Sequence, residues 1–281
     1  MIQEITPHKF RNEYRPVPPK SQDFMLIYEG RKVLVRKDSA EIVFPTFQDL
    51  EQCNPSETLY QKYTYLFEID EIHFYRRESR SLNLPEEYEW ADVQLFRTGS
   101  PKYLAFAAVT GWQMNRWYET HQFCGRCGKP MIHDSKERMM RCTECGLMEF
   151  PKICPAVIVG LTHGNKILMT KYARGEHKRY ALVAGYAETG ETIEEAVARE
   201  VMEEVGLKVK NLRYYKSQPW SYSDSLLFGF FCELDGDDET VTLDQNELAV
   251  AEWFEREEMP VEANDISLTN EMMMAFKNGL V

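Results

Sequence analysis

Two sets of side chains have the residue types and spacing to hold metal ions. Cys124-x2-Cys127 and Cys142-x2-Cys145 are short pairs, each followed by glycine, in CGRCG and CTECG. Two such knuckles set opposite one another supply four thiolates at tetrahedral geometry, which suits Zn2+. With every position filled by protein there is no room for a catalytic water, so the expected role is structural, with one Zn2+ per chain. A disulfide pair or an iron centre are the alternatives. The second set is Glu200, Glu203 and Glu204, in REVMEEVGL. At about 100° per residue they fall within roughly a 100° arc of one helix face. Crowded carboxylates repel and raise one another's pKa unless a cation lies among them, and such oxygen ligands suit Mg2+ or Mn2+. The plain alternative is an exposed amphipathic helix with an acidic wet face. Cys53, Cys154 and Cys232 lack partners in sequence and are expected to be buried apolar residues.

The glutamates need a helix to bring them together, and Thr192 to Val205 is the strongest helix signal in the chain. Thr192 and Glu195 form a T-x-x-E capping box, and Gly206 stands where a terminating glycine belongs. Glu194 and Glu195 are explained by capping and the helix dipole. Ahead of this helix, CPAVIVGLTH and NKILMTKY read as paired strands around a Gly164–Asn165 turn. After it, SLLFGFFCEL reads as an apolar strand and DGDDE as a solvated loop. Ser267 to Asn278 reads as a helix with Leu268, Met272 and Phe276 on one face, and the Met272–Met274 triplet reads as core filler. Further upstream, Met25 to Phe74 is β-rich. MLIYEGRKVLVR is a candidate hairpin, and KYTYLFEID alternates like a half-buried strand. RRESRSLNLPEEYEW reads as a loop, and Tyr103 to Gln122 as a helix. Residues 1–110 carry no evident chemistry and read as a small α/β accessory domain.

The 281 residues carry a formal net charge of −12, with 43% hydrophobic and 28% charged residues. That is ample for at least one core, and length alone suggests about two domains. The negative balance argues against broad nucleic-acid binding, which needs a basic footprint. It leaves open recognition of one nucleotide or an RNA end. For an acidic protein acting on an anionic substrate, bound divalent cations are the usual source of local positive charge. No apolar run is long enough to span a membrane, and MIQEITPHKFRNEYRP lacks the apolar core of a signal peptide. A cytoplasmic protein with no membrane partner is the expectation.

The glutamates stand in a longer pattern. Gly185-x5-Glu191-x7-Arg199-Glu200-Val201-x-Glu203-Glu204-x-Gly206-Leu207 fills every fixed position of the Nudix box, G-x5-E-x7-R-E-U-x-E-E-x-G-U, where U is a bulky aliphatic residue. The chain therefore resembles the Nudix hydrolases, which cleave nucleoside diphosphates linked to another moiety. The resemblance implies a Nudix α/β/α sandwich around a mixed sheet over 150–281; with the cysteine segment as a zinc ribbon over 119–149 and a β-rich N-terminal accessory domain over 1–118, the chain is expected to be α+β or α/β. It implies that Glu200 and Glu204 are metal ligands, with Glu203 beside them as ligand or general base, and that the Ala184 carbonyl adds a ligand. Arg199 and Glu191 would hold the loop against the helix.

Further on, Ser217 to Ser225 reads SQPWSYSDS, similar to the S-Q-P-W-P-F-P-x-S array of the NADH pyrophosphatases. Ser221, Tyr222 and Ser223 replace Pro, Phe and Pro. Losing both prolines should loosen this loop, because each fixes one φ angle. The same family places a four-cysteine zinc ribbon just before its Nudix domain, as here, followed by a junction that reads FPKICPAVI in this chain. By this resemblance Glu137, Phe150, Tyr186, Thr269 and the array residues Gln218, Pro219, Trp220, Ser221, Tyr222, Ser223, Asp224 and Ser225 are substrate-binding. Glu247 is a further Mg2+ or Mn2+ ligand, with a helix-surface glutamate as its alternative. Aromatics at 150 and 186 suit a flat ring. The family also implies a homodimer, hydrolysis of NADH or NAD+ to nicotinamide mononucleotide and AMP, and removal of NAD caps from RNA. The rivals are ADP-ribose or a diadenosine polyphosphate as substrate, or a scaffold that binds nucleotide or RNA without turnover.

Overall fold

The protein is described by a computed structural model covering residues 1–55, 59–77, 82–173 and 179–281. It forms two compact units: residues 2–152, and residues 153–281 together with Met1. Among the described residues no helix is long and apolar enough to cross a membrane.

The first unit contains β1 (Phe10–Arg11), β2 (Phe24–Leu26), β3 (Tyr28–Glu29), β4 (Lys32–Arg36), α1 (Phe47–Glu51), β5 (Tyr63–Ile69), β6 (Ile72–Arg77), β7 (Tyr88–Asp92) and α2 (Lys102–Thr120). A sheet ordered β1-β5-β6-β2 and another ordered β3-β4-β7 make up its β layer. The expected hairpin forms, with Tyr28 opposite Val33 and Glu29 opposite Lys32. β5 departs from the half-buried pattern: Thr64, Tyr65, Leu66 and Phe67 are all buried. Tyr65 joins a core with Met25, Phe47 and Tyr75, while Leu66 lies against Gly111 of α2. With both faces covered, a strand has no reason to alternate with polar residues. The stretch expected as one loop begins inside β6 and ends inside β7; residues 78–81 of it lie outside the described residues. Cys53 is only half-buried, because it follows α1 in a turn, and its thiol donates to the Asn83 carbonyl.

A small three-stranded sheet ordered β10-β9-β8 completes this unit, built from β8 (Met131–His133), β9 (Met140–Cys142) and β10 (Met148–Glu149).

The second unit contains β11 (Cys154–His163), β12 (Lys166–Tyr172), β13 (Val183–Tyr186), α3 (Ile193–Val205), β14 (Val209–Trp220), β15 (Ser225–Leu234), β16 (Leu248–Glu255) and α4 (Leu268–Lys277). Its sheet runs β14-β15-β11-β12-β16, with β13 beside the first half of β11. The β11–β15 pair is parallel and the others antiparallel, so the sheet is mixed. Strand alternation divides β11 between two cores. Val157, Val159 and Leu161 pack with Ala196, Val197, Val201 and Val205 of α3. Ala156 and Ile158 pack with Leu268, Met272, Met273 and Phe276 of α4. This is the expected α/β/α sandwich. Val197, Val201 and Val205 are fully buried, and each contributes about 1.5–3 kcal/mol relative to exposure.

Two expectations need correction in this unit. Cys154 is half-exposed, because it opens β11 at the sheet end, whereas Cys232 is buried as expected. DGDDE is not wholly solvated: Glu239 accepts from Lys166 at 2.9 Å and pairs with His163 at 2.7 Å, which pins the end of the loop to the β11–β12 turn.

Candidate functional site

The acidic site is built where β13 runs into α3. The T-x-x-E box forms as expected: the Thr192 hydroxyl accepts from the Glu195 N–H and the Glu195 carboxylate accepts from the Thr192 N–H. Gly206 ends the helix at φ 73°, a left-handed conformation that favours glycine. The helix direction is thereby set, and Glu200, Glu203 and Glu204 emerge on one side, at three different depths. Glu204 is 2% exposed and Glu200 7%, whereas the Glu203 side chain is 58% exposed.

Arg199 organises the loop. Its Nε and Nη2 grip both oxygens of Glu191 at 2.7 and 2.8 Å, and Nη2 also donates to the Tyr186 carbonyl at 2.9 Å. Nη1 bridges Glu200 at 2.7 Å and Glu203 at 2.9 Å. Glu191 in turn accepts from the Glu188 N–H, closing the turn between β13 and α3. The Arg199 fork, aided by that N–H, holds the Glu191 carboxyl down at about 2. Glu191 and Arg199 therefore fasten the loop to the helix.

The buried acids have the opposite problem. Burial raises the Glu200 pKa against the pull of Arg199, with Glu203 and Glu247 adding to the rise. Burial pushes Glu204 up to about 8, helped by the charges of Glu200, Glu247 and Asp244 and opposed by the Ala184 N–H. Glu204 Oε2 is buried and has no hydrogen-bond partner among the described residues. Such an orphaned acceptor costs free energy unless something positive meets it. Gly185 shows how tightly the acids are wrapped: a Cβ there would come within 1.9 Å of the Glu200 carboxyl carbon. Hard oxygen donors with one orphaned buried atom fit a divalent cation. Among the described residues no three carboxylates close to within 4.8 Å of one another; Glu200 and Glu203 are instead drawn to Arg199.

Glu247 lies in a turn just before β16, so the helix-surface alternative does not arise. The turn is tied to α3 by the Asp244 N–H donating to the Glu204 carbonyl at 3.0 Å. Asp244 and Tyr172, whose phenol feels Glu204 and Glu247, carry no signal in the sequence. One stands in a polar run and the other in an ordinary strand, and neither belongs to a local pattern.

The array straddles the end of β14, a turn and the start of β15. Gln218 is fully buried, donates to the Ile266 carbonyl at 2.8 Å and accepts from the Leu268 N–H at 2.7 Å, which fixes the entry to α4. Pro219 lies on the edge strand, where its missing N–H costs no ladder bond. The turn is closed despite its missing prolines. The Ser223 N–H donates to the Trp220 carbonyl, the Cys154 N–H donates to the Asp224 carbonyl, and the Trp220 and Tyr222 rings lie 5.0 Å apart. Ser221 is buried. Ser225 meets Ser223 at 2.8 Å and donates to the Tyr186 hydroxyl at 3.3 Å, so the Tyr186 ring, 50% exposed, is held at the array. Thr269 lies half-buried in the first turn of α4. Glu137 and Phe150 belong to the unit of residues 2–152, where both are exposed.

The four cysteines come together as expected. Their sulfurs all lie within 4.8 Å of one another, with Cys124–Cys145 and Cys127–Cys142 at 3.5 Å. These separations exclude disulfides, which need about 2.05 Å, and lie near the tetrahedral edge of about 3.8 Å that follows from Zn–S bonds of about 2.3 Å. Burial would raise the Cys124 thiol, but the N–H groups of Cys127 and Arg126 and the neighbouring thiols bring it down to about 6. The N–H groups of Cys145 and Glu144 likewise lower Cys142. Cys127, bonded by its neighbouring thiols, is raised instead; it is the convergence of four sulfurs that suits Zn2+.

Residues 152–274 match the NUDIX domain model, and residues 119–150 match the NADH pyrophosphatase zinc ribbon domain model. The chain is 42% identical over 154 residues to the "NAD-capped RNA hydrolase NudC" of Salmonella schwarzengrund, and 41% identical over 155 residues to that of Klebsiella pneumoniae. Each match covers 55% of this chain and 59% of the relative, so little more than half of each relative's length is spanned. A NUDIX hydrolase from Nitrosomonas europaea superposes with a TM-score of 0.46 at 23% identity, covering 56% of this chain and 91% of that one.

Proposed function

The chain carries a Nudix domain behind a zinc ribbon of the NADH pyrophosphatase type, and from that premise we propose that it hydrolyses the pyrophosphate of NADH or NAD+ to nicotinamide mononucleotide and AMP, and removes NAD caps from RNA. The observation that carries the hydrolytic part is Glu204: a buried carboxyl with an orphaned oxygen, in a shell that offers its anion no counter-charge. Glu200, Glu204, the Ala184 carbonyl and Glu247 would hold Mg2+ or Mn2+, with Glu203 at their edge. When bound, the cation neutralises phosphate charge and acidifies water. Glu203 is the exposed carboxylate, and Arg199 holds it in place. It takes the proton of the attacking water as the new O–P bond forms and the anhydride P–O bond breaks. Tyr186 offers its half-exposed ring face to the base or nicotinamide, beside the hydroxyls of Ser223 and Ser225. Supporting the NAD(H) choice are the ribbon, the array and the relatives named as NAD-capped RNA hydrolases. The exposed Phe150 supports a homodimer, since a large apolar side chain in water favours being covered.

The test is product analysis with Mn2+ and, at equal concentration, NADH, NAD+, ADP-ribose, a diadenosine polyphosphate and NAD-capped RNA. NADH or NAD+ cleaved to two mononucleotides is the expected result. Far faster cleavage of ADP-ribose would refute the substrate, a reading favoured by the changed residues Ser221, Tyr222 and Ser223. A Glu204→Gln protein that stays folded and loses no function would refute catalysis and favour a binding scaffold.

A further inference from the structure

Among the described residues, the cation that touches the acids is Arg199, which commits its guanidinium to Glu191, Glu200, Glu203 and the Tyr186 carbonyl. Any neutral donor at the site therefore matters, because it can bond a phosphate oxygen without adding negative charge. The end of β12 supplies one. Pairing between β12 and β16 runs regularly to Lys171 opposite Val250, then slips, so that Tyr172 faces Leu248 and Ala249 is left as the extra residue. Such bulges re-aim side chains and occur next to active sites. A chain of main-chain bonds then leads from Tyr172 to the acids. The Ala173 N–H donates to the Glu247 carbonyl at 2.8 Å, the Glu247 N–H to the Asp244 carbonyl at 3.2 Å, and the Asp244 N–H to the Glu204 carbonyl at 3.0 Å. The Tyr172 side chain is 47% exposed.

We infer that Tyr172 is a substrate-contacting residue whose phenol donates a hydrogen bond to a non-bridging oxygen of the substrate's pyrophosphate. This rests on the reading of the site as a pyrophosphatase. The partial burial of the ring, with Glu204 and Glu247 adding to it, raises the phenol above its ordinary value, so it remains a protonated donor at neutral pH. Its oxygen has no hydrogen-bond partner among the described residues.

The experiment uses the zinc-loaded full chain, as wild type, Tyr172→Phe and Tyr172→Leu, with thermal melts to check folding. Affinity for α,β-methylene ADP, a non-hydrolysable pyrophosphate, is measured by calorimetry at saturating Mg2+. Affinity for Mn2+ alone is measured by electron paramagnetic resonance, and kcat/KM with NADH. Tyr172→Phe is expected to bind the analogue about tenfold more weakly, the loss of one hydrogen bond to a charged group, and to lose as much in kcat/KM at unchanged Mn2+ affinity. The inference is overturned if Tyr172→Phe matches the wild type while only Tyr172→Leu is impaired, if Mn2+ affinity falls in step, or if the wild type does not bind the analogue. A wild type that binds the analogue through Tyr172 but leaves NADH intact refutes the NAD(H) reading and not the contact.

Discussion

Glu204→Gln separates a buried, uncompensated acid from an ordinary surface glutamate. The folded Glu204 carboxyl titrates at about 8, against 4.5 for an unperturbed glutamate, with burial as the main cause and the charges of Glu200 and Glu247 next. The folded state therefore binds a proton that the unfolded chain has already lost, so stability falls as pH rises. The contribution is fully present below about pH 4.5 and is lost as pH climbs through the folded value. Between about pH 5.5 and 8.5 the loss integrates to about 3 kcal/mol. Glutamine has no such slope. In buffer free of Mg2+ and Mn2+ the melting temperature of the variant should rise relative to wild type by about 6–12 °C across that window. Calorimetric melts at matched ionic strength measure it. Saturating Mn2+ should restore the wild type at high pH, by about 2.7 kcal/mol at a hundredfold excess over Kd, and should do much less for the variant. A difference that stays flat with pH would mean that Glu204 ionises as easily in the fold as in the unfolded chain, and would remove the main support for a cation there.

Three further outcomes follow from the same geometry. Gly185→Ala places a methyl group against the Glu200 carboxyl, so it should cost about 1–3 kcal/mol in denaturant melts and weaken Mn2+ binding; an unchanged Mn2+ titration would show that the cradle is unimportant. Arg199→Lys loses the fork that keeps Glu191 at about 2. Because that pKa is depressed, its stabilisation is present above about pH 4.5 and lost as pH falls through the folded value. The acid-unfolding limb, followed by circular dichroism, should therefore move to higher pH in the lysine variant, and an unmoved limb would contradict the role given to the pair. Cys142→Ser removes one of four converging sulfurs; zinc content by elemental analysis should fall well below one per chain, and a full complement would argue that three thiolates suffice.

Much of the site is legible in the sequence because its pattern is local. Glu200, Glu203 and Glu204 share a face through helical periodicity, and the T-x-x-E box and Gly206 mark the ends of that helix. The cysteine knuckles are local in the same sense: each is a short turn around its own pair, and the two pairs are joined by a short hairpin of β8 and β9. Where reading along the chain fails, contacts from distant segments intervene. β5 loses its alternation because α2 and a second core cover its two faces. Cys154 is half-exposed because it stands at the end of β11. Nothing in the order of residues marks Gln218 as the brace for the start of α4, since its partners Ile266 and Leu268 lie about fifty positions away.

The cysteine and glutamate sites divide along this line. Residue type and spacing determined that four thiolates and three carboxylates exist as sets, because turns and helices impose their own short periods. Tertiary structure alone decided what those groups experience. Packing α3 against the sheet buries Glu204 and Glu200 and leaves Glu203 in water. The turn that carries Asp244 and Glu247 brings further charge to the same place, and the end of β12 sets Tyr172 where Glu204 and Glu247 act on its phenol. Proton affinity depends on burial and on nearby charge, and both are set by chain segments that meet only when the sandwich closes.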